Sequence, residues 1–198
     1  KMVQAAAAKL NAQAEFINSL NVFPVPDGDT GTNMSMSMAS GAKYEREATS
    51  TNVGDLAQAL AKGLLMGARG NSGVILSQIF RGFAKGCTDK QELSAKDFVD
   101  AYANGAQTAY KAVMKPTEGT ILTVVRESAQ AGLNEVKAGN DDPVDIMEKI
   151  YDASEEALKK TPDLLPVLKE VGVVDSGGQG LVFVLQAFYE SLSGKVAE

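Results

Sequence analysis

The chain has 198 residues, 19 Lys and Arg against 25 Asp and Glu, one cysteine, and neither histidine nor tryptophan. Lack of histidine excludes Ser-His-Asp and Cys-His catalysis, His-ligated zinc and an imidazole base, and a lone Cys87 excludes intrachain disulfides and thiolate zinc clusters, which fits the cytosol. A net charge of −6 disfavours a general nucleic-acid binder, and no apolar run approaches the ~20 residues of a membrane span.

The opening stretch KMVQAAAAKLNAQAEF carries no signal-cleavage pattern and reads as the start of a helix. Along it Val3, Ala6, Ala7, Leu10, Ala14, Ile17 and Leu20 recur at steps of three and four. A Met-rich helix is expected over 34–47, followed by a polar loop at 48–54. Leu56, Ala59, Leu60 and Leu64 mark the next helix, and Val74, Ile75, Ile79, Phe80 and Phe83 mark one over 74–85. Further stripes run Phe98–Val113, Ile121–Val136, Ile146–Leu158 and Leu181–Leu192, with a polar loop at 138–143. Strand signals are poor: 22–25 and 171–174 are short and broken by Pro or Gly. The pattern predicts one all-α domain over 1–198, with about eight helices, short connections and mainly antiparallel neighbours.

Four connections carry more Gly, Asp, Asn, Ser and Thr than turns require. They are Pro26–Asn33, Gly67–Gly73, Lys115–Thr120 and Val174–Gly180. Each precedes a helix, and two helices separate successive members. In an up-and-down array, alternate connections lie at the same end. The four would therefore meet on one face, each bringing a helix N-terminus with unpaired N–H groups and a positive dipole end. Converging N-termini suit a polyanion, most simply phosphate groups, and glycines allow close approach. Asp27 and Asp29 add two carboxylates that would repel phosphate unless a cation lay between them. Hard oxygen donors of this kind suit Mg2+, which shares itself with substrate phosphates. The pattern points to a Mg2+–nucleotide site.

Other motifs fail residue by residue. No Gly-x-x-x-x-Gly-Lys-Ser/Thr run occurs. An EF-hand opening at Asp27 would meet Thr32 and Met38 where it needs Gly and Glu. No Gly-x-Gly-x-x-Gly follows a strand. An aspartyl-phosphate enzyme would need a strand before Asp27, and Pro24 and Pro26 spoil it. Taken singly, Asp27-Gly28 and Asp175-Ser176-Gly177 read as turns with caps; four such segments at alternate connections do not. Arg69 is a candidate phosphate ligand, although a lone Arg in a loop is more often a surface ion pair or cap. Lys115 reads as a contact to its own helix end, Met34, Met36 and Met38 as core filling, and Cys87 as inert.

These segments carry a family resemblance. PDGDTGTNM at 26–34, GARGNSGVILSQ at 67–78, KPTEGTILTV at 115–124 and GVVDSGGQGL at 172–181 resemble the ATP-binding kinase domain of the dihydroxyacetone kinase L type. More closely, they resemble the N-terminal domain of bacterial fatty acid kinases. The resemblance implies an antiparallel up-and-down barrel of about eight helices, with ATP and two Mg2+ ions at one end. It assigns Asp27 and Asp29 to the metal and to catalysis, with Asn21 as the nearest match to a third ligand. It assigns Thr30, Gly31, Thr32 and Asn33, and Asn71, Ser72 and Gly73, to the phosphates. Gly119, Thr120, Asp175, Ser176 and Gly177 match further nucleotide contacts. It implies phosphoryl transfer to a fatty acid presented by a separate fatty-acid-binding protein, giving acyl phosphate for phospholipid synthesis. It also implies further domains, on which dimerisation would depend, so the chain reads as an excised, cytoplasmic domain. The alternatives are a kinase for dihydroxyacetone or a related ketone and a non-catalytic ATP-binding regulatory domain. The missing histidine favours the carboxylate acceptor, which is ionised near neutral pH at a pKa of roughly 4 and needs no base.

Overall fold

The computed structural model describes residues 1–194, among which nine helices and no strand occur. Eight are long: α1 (Met2–Ser19), α2 (Thr30–Glu47), α3 (Val53–Gly67), α4 (Gly70–Gly86), α5 (Ala95–Ala112), α6 (Ile121–Lys137), α7 (Pro143–Leu164) and α9 (Ser176–Ser193). The ninth, α8 (Pro166–Val171), is a six-residue insert after α7. Each long helix up to α7 packs on its predecessor, and α9 closes the ring on both α7 and α1. The all-α antiparallel barrel expected from the sequence is the fold observed, with α8 as the addition.

The apolar stripes face one interior. Leu10 and Ile17, Met34 and Met38, Leu64, Leu76, Val99, Val124 and Val125, Ile150 and Val184 are all fully buried there. Burying such a side chain contributes roughly 1.5–3 kcal/mol each. Ring closure keeps one antiparallel register, with Lys9 paired to Glu190 and Phe16 edge-on to Phe183 at 6.3 Å between centroids. Met36 departs from the core reading: it lies on the outer face of α2, 44% exposed, while Met34 and Met38 point inward.

Helix starts differ from the sequence reading in an informative way. Thr30–Asn33, Gly70–Gly73 and Ser176–Gly180 are not loop but the first turns of α2, α4 and α9. The first three N–H groups of a helix find no intrahelical acceptor, so low helix propensity costs little there. The expected polar loops shorten to 48–52 and 138–142, since Val53 and Pro143 are already helical. Residues 22–25 form no strand, and Val171 ends α8, whose stop is Gly172 at φ +83°.

Pro162 sits inside α7. It has no N–H for the Leu158 carbonyl, and the Thr161 hydroxyl donates to that carbonyl instead, at 2.7 Å. The helix therefore continues to Leu164.

The two ends of the barrel are built differently. At the distal end α3, α5 and α7 begin with Asn52, Ser94 and Asp142, each accepting first-turn amides with its side chain. That end also opens on an apolar cavity of about 410 Å3, walled by Phe80, Phe83, Phe98, Met147 and Phe188. At the opposite end α2, α4, α6 and α9 begin, and the four polar connections meet.

Candidate active site

The first connection is held by two asparagines, Asn18 in the last turn of α1 and Asn21 just beyond it. Asn21, buried, accepts the amides of Asp29 and Thr30 at 3.1 and 3.2 Å and donates to the Val25 carbonyl at 3.2 Å. Asn18 accepts the Thr32 amide and donates to the Thr32 hydroxyl, both at 3.0 Å. Both act as caps supplied from outside α2, since Asp29 gives that helix no side-chain cap. Asn21, expected as a third metal ligand, thus has its amide oxygen engaged by two backbone N–H groups. Asn18 escapes the sequence reading; the available signal is its place three residues before Asn21, on the same face at a helix end.

Between these anchors Asp27 is exposed and Asp29 half-buried, with Gly28 at φ +68° turning the chain. The Asp27 carboxyl is held above the usual carboxylate range, first by a hydrogen bond with the Asp29 carboxyl, then by partial desolvation and by Asp29's like charge. That is the signature of two carboxylates crowded together, and a cation shared between them would relieve it. Among the described residues no group of three or more acidic or thiol side chains is placed to hold a metal ion. A cation here would complete its shell with waters or ligand oxygens, which fits Mg2+. The donor set and its surroundings therefore fit the metal expected from the sequence.

The second connection meets the first and the fourth. Gly70, at φ +68°, lies against the Asn33 side chain, where any Cβ would collide. Gly177 in the first turn of α9 stands where a Cβ would lie 2.8 Å from Ser72 Oγ and 3.4 Å from Ile121 Cβ. One glycine therefore brings the starts of α4, α6 and α9 into contact. Arg69 gives α4 no side-chain cap, in contrast to the three capped helices at the distal end. Asn71 is exposed and Ser72 half-buried at this start, while Gly73 is buried against Ser37. The Arg69 amide donates to Ser37 Oγ at 3.1 Å, which fixes the entry to α4 while the Arg69 side chain stays exposed.

Asp175 ties the third and fourth connections together. Its carboxylate accepts the Gly178 amide at 2.8 Å and also the Ile121 amide, so it caps α9 and α6 at once. Its own amide donates to Thr161 Oγ1 at 3.1 Å, linking it to the α7 proline site. Burial pushes the Asp175 carboxyl up to about 6, against the two amide hydrogen bonds that lower it. Ser176 and Gly177 are buried beside it. Thr161 also escapes the sequence reading, because only the folded barrel brings α7 under α9.

The third connection is pinned by a network centred on Glu118. Tyr110 donates to Glu118 at 2.8 Å, Thr123 at 2.9 Å and Arg126 at 2.7 Å. Burial would raise the Glu118 carboxyl, yet these three donors hold it below the usual range. Gly119 and Thr120 are buried: the Gly119 amide donates to Thr123 Oγ1, and Thr120 caps α6. Gly119 faces Leu165 and the Thr161 carbonyl, so it and Thr120 shape the connection locally. Lys115 is exposed and stands beyond the end of α5, which closes at Ala112. Cys87 is buried in a small satellite cluster, and burial pushes its thiol up to about 11, in keeping with an inert thiol.

The comparisons with known proteins agree with this architecture. The DAK2 domain family model matches residues 24–190. An uncharacterized protein of Staphylococcus epidermidis is 51% identical over 197 residues, and one of Staphylococcus aureus is 52% identical over 198. The match takes in all of this chain but only 36% of each relative's length. In structure the chain resembles the dihydroxyacetone kinase of C. freundii in its native form, with a TM-score of 0.72 at 20% identity over 96% of this chain and 33% of that one. The same kinase in complex with AMP-PNP and Mg2+ matches with a TM-score of 0.71. None of the helices in the described part is long and apolar enough to cross a membrane. On the extent of the family match and the shared barrel, the chain belongs to the DAK2 domain family.

Proposed function

We propose that this domain is the ATP-binding part of a Mg2+-dependent kinase that phosphorylates the carboxylate of a fatty acid presented by a separate fatty-acid-binding protein. The observation that carries the reading is the meeting of the Asp27–Asp29 pair with the first turns of α2, α4, α6 and α9 at one end of the barrel. Similarity in fold to a kinase crystallised with AMP-PNP and Mg2+ supports it, as does the resemblance of the four segments to fatty acid kinases.

Two Mg2+ ions, held by Asp27 and Asp29, would supply positive charge to the phosphates of ATP. Asn21 and Asn18 keep that carboxylate pair and the first turn of α2 in place. The uncapped amides of Gly70, Asn71 and Ser72 offer donors to phosphate oxygens, and the side chains of Thr32, Asn33, Asn71 and Ser72 lie at the same end. Asp175 holds the starts of α6 and α9 against each other from below. A carboxylate oxygen of the acceptor would attack the γ-phosphorus while the bond to the β–γ bridging oxygen breaks and ADP leaves. The acceptor is already ionised, so no proton has to be removed, in keeping with a chain without histidine. Catalysis then rests on placement and electrostatics.

The test is incubation with ATP, Mg2+ and a fatty-acid-loaded binding protein, trapping acyl phosphate with hydroxylamine. Asp29→Ala is expected to abolish both turnover and Mg2+-dependent ATP binding. Undiminished turnover in that variant would refute the metal assignment. Phosphorylation of dihydroxyacetone in place of the fatty acid would move the acceptor to a ketone, and ATP binding without any turnover would leave a regulatory domain.

A further inference from the structure

On the outside of the barrel α4 and α5 are drawn together at Gly82 and Gly105. A Cβ on Gly82 would lie 2.8 Å from the Gly105 Cα and 2.7 Å from the Asn104 carbonyl. Asn104 also donates to the Gly82 carbonyl at 2.7 Å, which fixes the seam. Along it runs a groove of about 550 Å3. Its charged lining is Arg81, Lys85 and Lys111, and no carboxylate lines it. All three cations are exposed, and none takes part in the six ion pairs found among the described residues, although the chain as a whole is acidic. Arg81 touches only the neutral amide of Gln78, at 3.2 Å.

The spacing selects the occupant. With Gly82 facing Gly105 in an antiparallel pair, Lys111 lies level with residue 76, about 14 Å along α4 from Lys85 at 1.5 Å per residue. One phosphate or one carboxylate cannot reach both ends. A polypeptide with carboxylates on successive turns can. We propose that this groove docks an acidic segment of a partner protein. Its Lys111 end would point toward the end of the barrel where α6 begins, because Lys111 is one residue from the end of α5, which leads into the connection carrying Glu118, while its Lys85 end lies near the close of α4. The proposal is independent of which acceptor the kinase uses.

A fluorescein-labelled oligoglutamate peptide serves as the probe, read by anisotropy. Saturable binding at low salt is expected, weakening as salt is raised. Arg81→Glu with Lys85→Glu should weaken it by about tenfold or more, from lost attraction plus new repulsion. Lys43→Glu with Lys160→Glu changes the net charge equally and should leave affinity within about twofold. On the unaltered chain, amide NMR shifts should concentrate in residues 78–88 and 104–112. Equal weakening by both pairs, absence of saturable binding, displacement of the peptide by Mg2+-ATP, or shifts centred elsewhere would each overturn the proposal. So would pyrophosphate binding in the groove where the peptide does not bind.

Discussion

Asp175→Asn isolates one buried titration. In the folded chain the Asp175 carboxyl lies at about 6 instead of its ordinary 3.8, because burial disfavours the charged form more than the two amides favour it. Folded protein therefore holds this proton more tightly than the unfolded chain does. The stability that this group contributes is fully present below pH ~4 and is lost as pH rises through ~6. A displacement from 3.8 to about 6 corresponds to roughly 3 kcal/mol at 1.36 kcal/mol per pKa step. Asparagine cannot titrate and loses this dependence, while every other group titrates alike in both proteins. Urea unfolding measured from pH 4 to pH 8 should show the variant gaining roughly 2–3 kcal/mol relative to the parent across that range. The difference matters, not the absolute values, since the asparagine amide cannot match the carboxylate in accepting both the Gly178 and Ile121 N–H groups. Stability curves that run parallel from pH 4 to pH 8 would refute the reasoning.

Asn21→Ala leaves the Asp29 and Thr30 amides without a partner and should cost about 1–3 kcal/mol in chemical unfolding, with weaker Mg2+-ATP binding by calorimetry. Asn18→Ala, at an exposed cap, should cost about 1 kcal/mol by the same unfolding assay. Gly177→Ala forces the starts of α4 and α9 apart, so a loss of about 1–3 kcal/mol and reduced ATP affinity are expected. Thr161→Val strands both the Leu158 carbonyl and the Asp175 amide, and the midpoint of thermal unfolding should fall by several degrees.

The barrel and the meeting of the four polar connections at one end are legible in the sequence because both rest on spacing. Apolar residues at steps of three and four mark eight helices, and polar connections at every second junction must share one end. The helix starts are less legible. Glycine and serine at 70–73 and 176–180 look like loop by propensity, yet a first turn makes few demands on propensity and here is held by contacts from other helices. Asn18, Thr161 and the Tyr110–Glu118–Arg126 network act through partners 8 to 16 residues away, so no local pattern announces them. Asp175 can be read from its own segment, but its double capping cannot. The two helix starts that it joins, at Ile121 and Ser176, are separated in the chain by α6, α7 and α8 and meet only in the closed barrel.

Because eight long helices close one ring, α1 and α9 are antiparallel neighbours, and Lys1 and Gly194 lie close to one level at the distal end. Adjacent helix axes are typically about 8–10 Å apart, so a short linker can join the two. The order of the helices along the polypeptide is then a matter of where the ring is cut. Cut instead at 48–52, the same barrel would place the two sides of the cut at the level of Lys1 and Gly194, and either opening leaves untouched the far end where α2, α4, α6 and α9 begin.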